Sequence, residues 1–125
     1  MHFLALAVDY DGTIAHNGSV SPQVQAALVL LKNSGRKLLL VTGRELQALK
    51  HHFPQLGLFD SVIAENGAVL YDPMTERDQL ITDSASTELV RSLREKGVAP
   101  LSVGRSVIAT WHPFEEAVIN SIRDL

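Results

Sequence analysis

Apolar residues fall along this chain in two kinds of run, and the difference between them predicts most of its elements. Residues 3–8 (Phe-Leu-Ala-Leu-Ala-Val) and 37–41 (Lys-Leu-Leu-Leu-Val) are near-continuous rather than alternating, the pattern of strands buried on both faces of a parallel sheet. Between them Val24, Ala27, Leu28 and Leu31 recur at helical spacing. Ser21 stands ready as a cap, Pro22 sits in the first turn and Gly35 stops the run, so a helix is predicted there. A second helix, leaving Thr42-Gly43-Arg44, carries Leu46, Leu49 and Phe53 on one face and ends at Pro54, before a third short strand at residues 61–64. Strand, helix, strand, helix, strand implies an α/β fold with a parallel sheet, and such sheets bind ligands beyond the carboxyl ends of their strands. Asp9, Asp11, Thr42 and Glu65 all fall at those ends.

The rhythm changes after Asn66-Gly67. Residues 68–71 and 79–82 flank a loop with Asp72 and Pro73, which predicts an antiparallel hairpin departing from the main sheet. A helix follows over residues 87–96 and stops at Gly97. Strands at 101–103 and 106–110 pair around Gly104-Arg105, and a final helix over 113–125 aligns Phe114, Ala117, Val118, Ile122 and Leu125. The Asp-Ser-Ala-Ser stretch is the natural boundary, dividing residues 1–82 from residues 83–125.

Composition narrows the chemistry. A length of 125 residues with 46% hydrophobic content supports one modest core. The net charge of −3, with no basic run, offers no nucleic-acid footprint and no polybasic membrane patch, which leaves a small molecule as the expected partner. With no cysteine there is neither a disulfide nor a thiolate nucleophile or metal ligand, which fits a reducing compartment. The apolar start is too short to span a membrane and lacks the flanks of a signal peptide, so the expected location is cytoplasmic.

Asp9-Tyr10-Asp11-Gly12-Thr13 places two carboxylates one residue apart at the end of the first strand. Alternation puts both on one face, and the Gly-Thr turn leaves them at the rim. That is the arrangement of a metal site handling phosphate, although Asp-Gly alone also ends strands with no chemistry attached. Thr42 has a second explanation as the N-cap of the second helix, and Glu65-Asn66 as a turn. Among the five histidines, His51 and His52 are adjacent on a helix and face apart, while His16 and His112 stand alone. None has metal-ligand spacing.

Together, Asp9-Tyr10-Asp11-Gly12-Thr13 after one strand, Val41-Thr42-Gly43-Arg44 after the next and Glu65-Asn66-Gly67-Ala68 after the third resemble the haloacid dehalogenase (HAD) superfamily, in its Cof-like branch. The resemblance covers residues 3–71. It implies a Rossmann-like three-layer sandwich followed by the beginning of an α/β cap, and Mg²⁺-dependent hydrolysis of sugar phosphates or related metabolites. By that resemblance Asp9 is the nucleophile and Asp11 the general acid and base, and the two also hold Mg²⁺, through the Asp9 side chain and the Asp11 backbone carbonyl. Gly12, Thr13, Thr42, Gly43 and Arg44 would hold the phosphoryl group, and Glu65 and Asn66 are further candidates for substrate contact.

The family's later lysine and second acidic motif have no counterpart in context: Lys96 falls in the third predicted helix, and Glu115, Glu116 and Asp124 in the last. The expectation is an N-terminal piece of the fold, with an incomplete core. In such a piece the first strand would become an exposed apolar edge through which copies associate, a reading that a monodisperse monomer at high concentration would oppose. A non-catalytic metal- or phosphate-binding or regulatory domain is the alternative to an enzyme.

Overall fold

The computed structural model describes residues 2–125. A five-stranded sheet forms its centre, with strands β1 (Ala5–Asp9), β4 (Lys37–Val41) and β5 (Ser61–Ala64) parallel, followed by β6 (Val69–Asp72) and β7 (Arg77–Leu80) antiparallel. Its spatial order is β1-β4-β5-β6-β7. Helix α1 (Pro22–Asn33) carries the chain from β1 to β4, and α2 (Leu46–His52) from β4 to β5. This is the parallel α/β arrangement that the two continuous runs and their helical spacers predict, and it agrees with the incomplete Rossmann-like core that the resemblance implies.

Local causes are visible at each boundary. The Ser21 hydroxyl accepts a hydrogen bond from the Val24 N–H at 3.3 Å, capping α1, and Gly35 ends that segment with φ of +82°. Leu28 of α1, Leu38 and Leu40 of β4, Leu46 and Leu49 of α2 and Val62 of β5 are all buried in one hydrophobic core. Lys32 reaches from α1 to the carbonyls of Gly57 and Leu58 at 2.8 and 2.9 Å, satisfying two acceptors in the turn before β5.

Asp60 fixes the start of β4 against β5. One carboxylate oxygen pairs with Lys37 Nζ at 2.8 Å and the other accepts from the Leu38 N–H at 2.9 Å, and these partners, Lys37 first, hold its carboxyl below the usual aspartate range. Its stabilising contribution is therefore present at neutral pH and lost as the pH falls through its lowered value. Asp60→Asn should lower the urea midpoint at pH 7, and its gap to wild type should close below about pH 4. A gap that is the same at both pH values would show that the ionised carboxylate contributes nothing.

Several expectations need correction. β1 is largely exposed rather than buried on both faces, and it lies at the sheet edge, as expected of the first strand in an incomplete core, with β4 as its only strand neighbour among the described residues; before it Phe3 and Leu4 are 69% and 80% exposed. A continuous apolar run records hydrophobicity but not how many neighbours the strand has. The β6–β7 hairpin does not leave the main sheet but extends it, because β6 turns back along β5 with Ala64 opposite Val69. Helix α2 starts at Leu46 rather than at Arg44, and Phe53 follows it as the closing residue. A small hairpin escaped prediction: β2 (Ala15–His16) and β3 (Ser19–Val20) turn through Asn17 and Gly18, both at positive φ. Asn-Gly is a strong hairpin signal, masked here by strands of two residues each.

Beyond β7, α3 (Thr87–Glu95), β8 (Leu101–Val103), β9 (Ile108–Thr110) and α4 (Glu115–Arg123) follow in the predicted order, with β8 and β9 antiparallel and α4 shorter than expected at both ends. Among the described residues, no helix is long and apolar enough to cross a membrane.

Candidate active site

Three loops leave the sheet side by side. Asp9 pairs in register with Val41, and Val41 with Ile63, so the segments after β1, β4 and β5 begin at the same height. Tyr10 turns inward: it is 0% exposed, and its hydroxyl donates to the Gly18 carbonyl at 2.9 Å. The alternation leaves Asp9 and Asp11 outside, at the rim. Gly12 then takes φ of +73°, closing a turn in which its N–H donates to Ala15 O at 3.0 Å, while Thr13, Ile14 and Ala15 all donate to the Tyr10 carbonyl. The Gly12 and Thr13 amides are thus engaged inside the turn. The Thr13 hydroxyl, however, donates to Asp9 Oδ2 at 3.3 Å.

Asp11 meets Arg44 fork to fork: Nε and Nη2 of the guanidinium each lie 2.7 Å from one carboxylate oxygen, and the same guanidinium sits 5.1 Å above the Tyr10 ring. The Arg44 hydrogen bonds hold the Asp11 carboxyl below the usual aspartate range, and the pairing raises Arg44 in turn. Burial pushes the Tyr10 phenol up. Around Asp11 the rim is therefore a neutralised pair, while Asp9 keeps its carboxylate outward beside Thr13.

Thr42 is buried, and its hydroxyl oxygen accepts from the Arg44 N–H at 3.1 Å. The N-cap reading fails, because α2 begins only at Leu46 and Glu45 occupies the cap position. Thr42 shapes the Thr-Gly-Arg loop instead. That loop is stitched to the turn after β5: the Glu65 N–H donates to Arg44 O at 3.0 Å and the Asn66 N–H to Thr42 O at 3.2 Å. A Cβ on Gly43 would stand 2.8 Å from Asn66 Oδ1, so any larger residue there would have to displace the Asn66 side chain. Glu65 and Asn66 both take positive φ, +51° and +56°.

Asp9, Asp11, Thr13, Thr42 and Arg44 are thus gathered at one end of the sheet. Glu65 departs from the expected substrate contact: its carboxylate is turned away from solvent, 2% exposed, and accepts N–H groups from the turn between β8 and β9. Ser102 of β8 donates to the Glu45 carboxylate, a contact that no local pattern signals because 57 positions separate the two. A crevice of about 280 Å³ opens between Arg44 and Glu45 on one side and Ser102, Val107 and Trp111 on the other. No group of three or more His, Cys, Asp or Glu side chains is placed to hold a metal among the described residues. The oxygen donors at hand are the Asp9 carboxylate and the backbone at Asp11, a hard set suited to Mg²⁺, which keeps several waters and needs only one or two carboxylates.

Residues 6–111 match the profile of the haloacid dehalogenase-like hydrolases. The protein named "Putative phosphatase YxeH" from Bacillus subtilis (strain 168) is 35% identical over 74 residues, which is 56% of this chain and 27% of that protein, so the chain spans about a quarter of that relative's length. A haloacid dehalogenase-like hydrolase from B. subtilis superposes with a TM-score of 0.58 at 26% identity, covering 76% of this chain and 34% of that one. The HAD subclass IIB sugar phosphatase BT4131 superposes with a TM-score of 0.56 at 25% identity, over 96% of this chain and 48% of that one. Thermoplasma acidophilum 0175, at 14% identity, shares the fold with a TM-score of 0.68 over 98% of this chain and 58% of its own.

Proposed function

Because the chain belongs to the haloacid dehalogenase-like hydrolase family, we propose that it carries the nucleophile-bearing part of a Mg²⁺-dependent phosphomonoester hydrolase acting on sugar phosphates or similar small metabolites. One observation carries the reading: Asp9 and Asp11 stand on one rim, with the Thr13 hydroxyl on Asp9 and the Arg44 fork on Asp11, beside the loop that holds Thr42. The likeness to a sugar phosphatase supports the substrate class. The division between residues 1–82 as core and 83–125 as the start of a cap belongs to the same proposal.

In the proposed reaction an Asp9 carboxylate oxygen forms a bond to phosphorus as the bond to the leaving oxygen breaks, and a proton from the Asp11 carboxyl passes to that oxygen. Water then attacks the phosphoaspartate, Asp11 takes its proton, and phosphate leaves with Asp9 restored. Mg²⁺ held by the Asp9 carboxylate and the Asp11 backbone carbonyl would offset the charge between nucleophile and phosphoryl group. In the described geometry Asp11 is ionised against Arg44, so its acid role requires Arg44 to exchange partners and Asp11 to take up a proton from solvent before it gives one to the leaving oxygen. Arg44's planar fork fits two phosphoryl oxygens as it fits two carboxylate oxygens, and that exchange would release Asp11. Thr42 and the Gly43 backbone lie next to it, and Gly12 shapes the opposing turn.

A second reading, a metal- or phosphate-binding domain without turnover, draws on that same Asp11–Arg44 pairing and on the absence of a third acidic ligand among the described residues. Phosphate release from a panel of sugar phosphates, with Mg²⁺ and with EDTA, separates the two. Release that requires Mg²⁺ and stops with EDTA is the expected result. Binding of inorganic phosphate without release would favour the second reading.

A further inference from the structure

The Glu65 carboxylate is an acidic side chain buried beside the site and not used by the reaction above. Its Oε1 accepts from the Arg105 N–H at 3.2 Å, and its Oε2 accepts from Ser106 at 2.9 Å and Val107 at 3.2 Å. Three successive backbone N–H groups converging on one anion form a nest, the arrangement by which a turn holds negative charge. The fit is close: a Cβ on Gly104 would stand 2.7 Å from Oε2. Residues around the turn add further ties, with Arg105 paired to Asp78 of β7, Ser106 Oγ 2.9 Å from the Thr82 hydroxyl, and Arg105 O accepting from the Ala85 N–H at 2.8 Å. On its other side Glu65 is bonded through its own N–H to Arg44 O.

We propose that Glu65 is a positioning residue that seats the β8–β9 turn against the Thr-Gly-Arg loop and so sets the width of the crevice between Arg44 and Trp111. The chemistry demands a carboxylate. Glutamine offers one acceptor oxygen and presents an NH₂ group to donors, and removing the side chain leaves three inward N–H groups without their acceptor. Trp111 directly follows β9, is 59% exposed and is the sole tryptophan of the chain, so its emission reports on the crevice.

The test compares the whole chain as wild type, Glu65→Gln and Gly104→Ala by amide hydrogen exchange and by acrylamide quenching of Trp111. In both variants the amides of Arg105, Ser106 and Val107 should exchange at least about tenfold faster while Leu40 and Val62 keep wild-type protection, and quenching of Trp111 should change. Turn amides that exchange at the wild-type rate in Glu65→Gln would overturn the proposal. Should that variant unfold the core, Gly104→Ala decides, since it keeps the carboxylate and alters only the fit; unchanged turn amides there overturn it equally. The kinetic side rests on the hydrolase reading: KM should rise with kcat within about twofold, and a fall in kcat alone would refute a purely positioning role. If the wild type shows no turnover, the hydrolase reading fails while the exchange result still decides the role of Glu65.

Discussion

Asp9→Asn is expected to bring Mg²⁺-dependent phosphate release down to the rate without protein, a fall of at least about 1,000-fold wherever the wild type turns over. The substitution keeps size and shape but replaces an anionic oxygen, able to form a bond to phosphorus, with a neutral amide oxygen that is a poor nucleophile. The Thr13 hydroxyl can still donate to that oxygen as it now does to Oδ2. Asp9 is exposed at the end of an edge strand, so the thermal midpoint should stay with the wild type. Retained turnover in Asp9→Asn would place the nucleophile elsewhere. A lost activity accompanied by a lowered midpoint would report on folding rather than on chemistry.

The largest expected effect on stability is that of Phe53→Ala. Phe53 is buried where α2 ends, its N–H donating to Leu49 O at 2.8 Å, and its ring stands 6.0 Å from that of Tyr10 and 6.4 Å from that of Phe59. Truncation leaves a cavity between two rings that are themselves fixed, Tyr10 by its hydroxyl on Gly18 and by Arg44 above it. Buried Phe→Ala changes cost about 3–5 kcal/mol, against a total stability on the order of 5–15 kcal/mol. Urea unfolding followed by circular dichroism measures this, and a loss below about 1 kcal/mol would mean that the three rings do not form the core they outline. Because Tyr10 lies between Asp9 and Asp11, Phe53→Ala should also weaken the site from beneath.

What could be read in the sequence follows from how local each signal is. Ser21, Gly35 and the stripe through Leu28 specify α1 within fifteen or so residues, and the 37–41 run marks β4 by itself. The rim position of Asp9 and Asp11 follows from alternation across Tyr10. The edge position of β1 was expected from the family resemblance and not from its own residues, since a strand with one neighbour and a strand with two can share the same apolar run. Nor was the destination of Glu65: its three partners lie 40 to 42 positions away, and no short-range pattern couples a turn glutamate to a distant hairpin. Asp11's engagement with Arg44, 33 positions on, is hidden for the same reason. Motif reading gathers such residues into one place without saying which pairs with which.

The pairing of Asp9 with Val41 has a consequence for where the chain can change length. Side chains on a strand alternate with period two, so a single residue inserted within Ala5–Asp9 would turn Asp9 inward and Tyr10 out, dismantling rim and core in one step. The Asn17–Gly18 tip joins the two-residue strands β2 and β3 outside the main sheet, so residues added there lengthen a loop without shifting the register of β1 on β4. An insertion at that tip should therefore be tolerated by this chain, where one inside β1 or β4 is not.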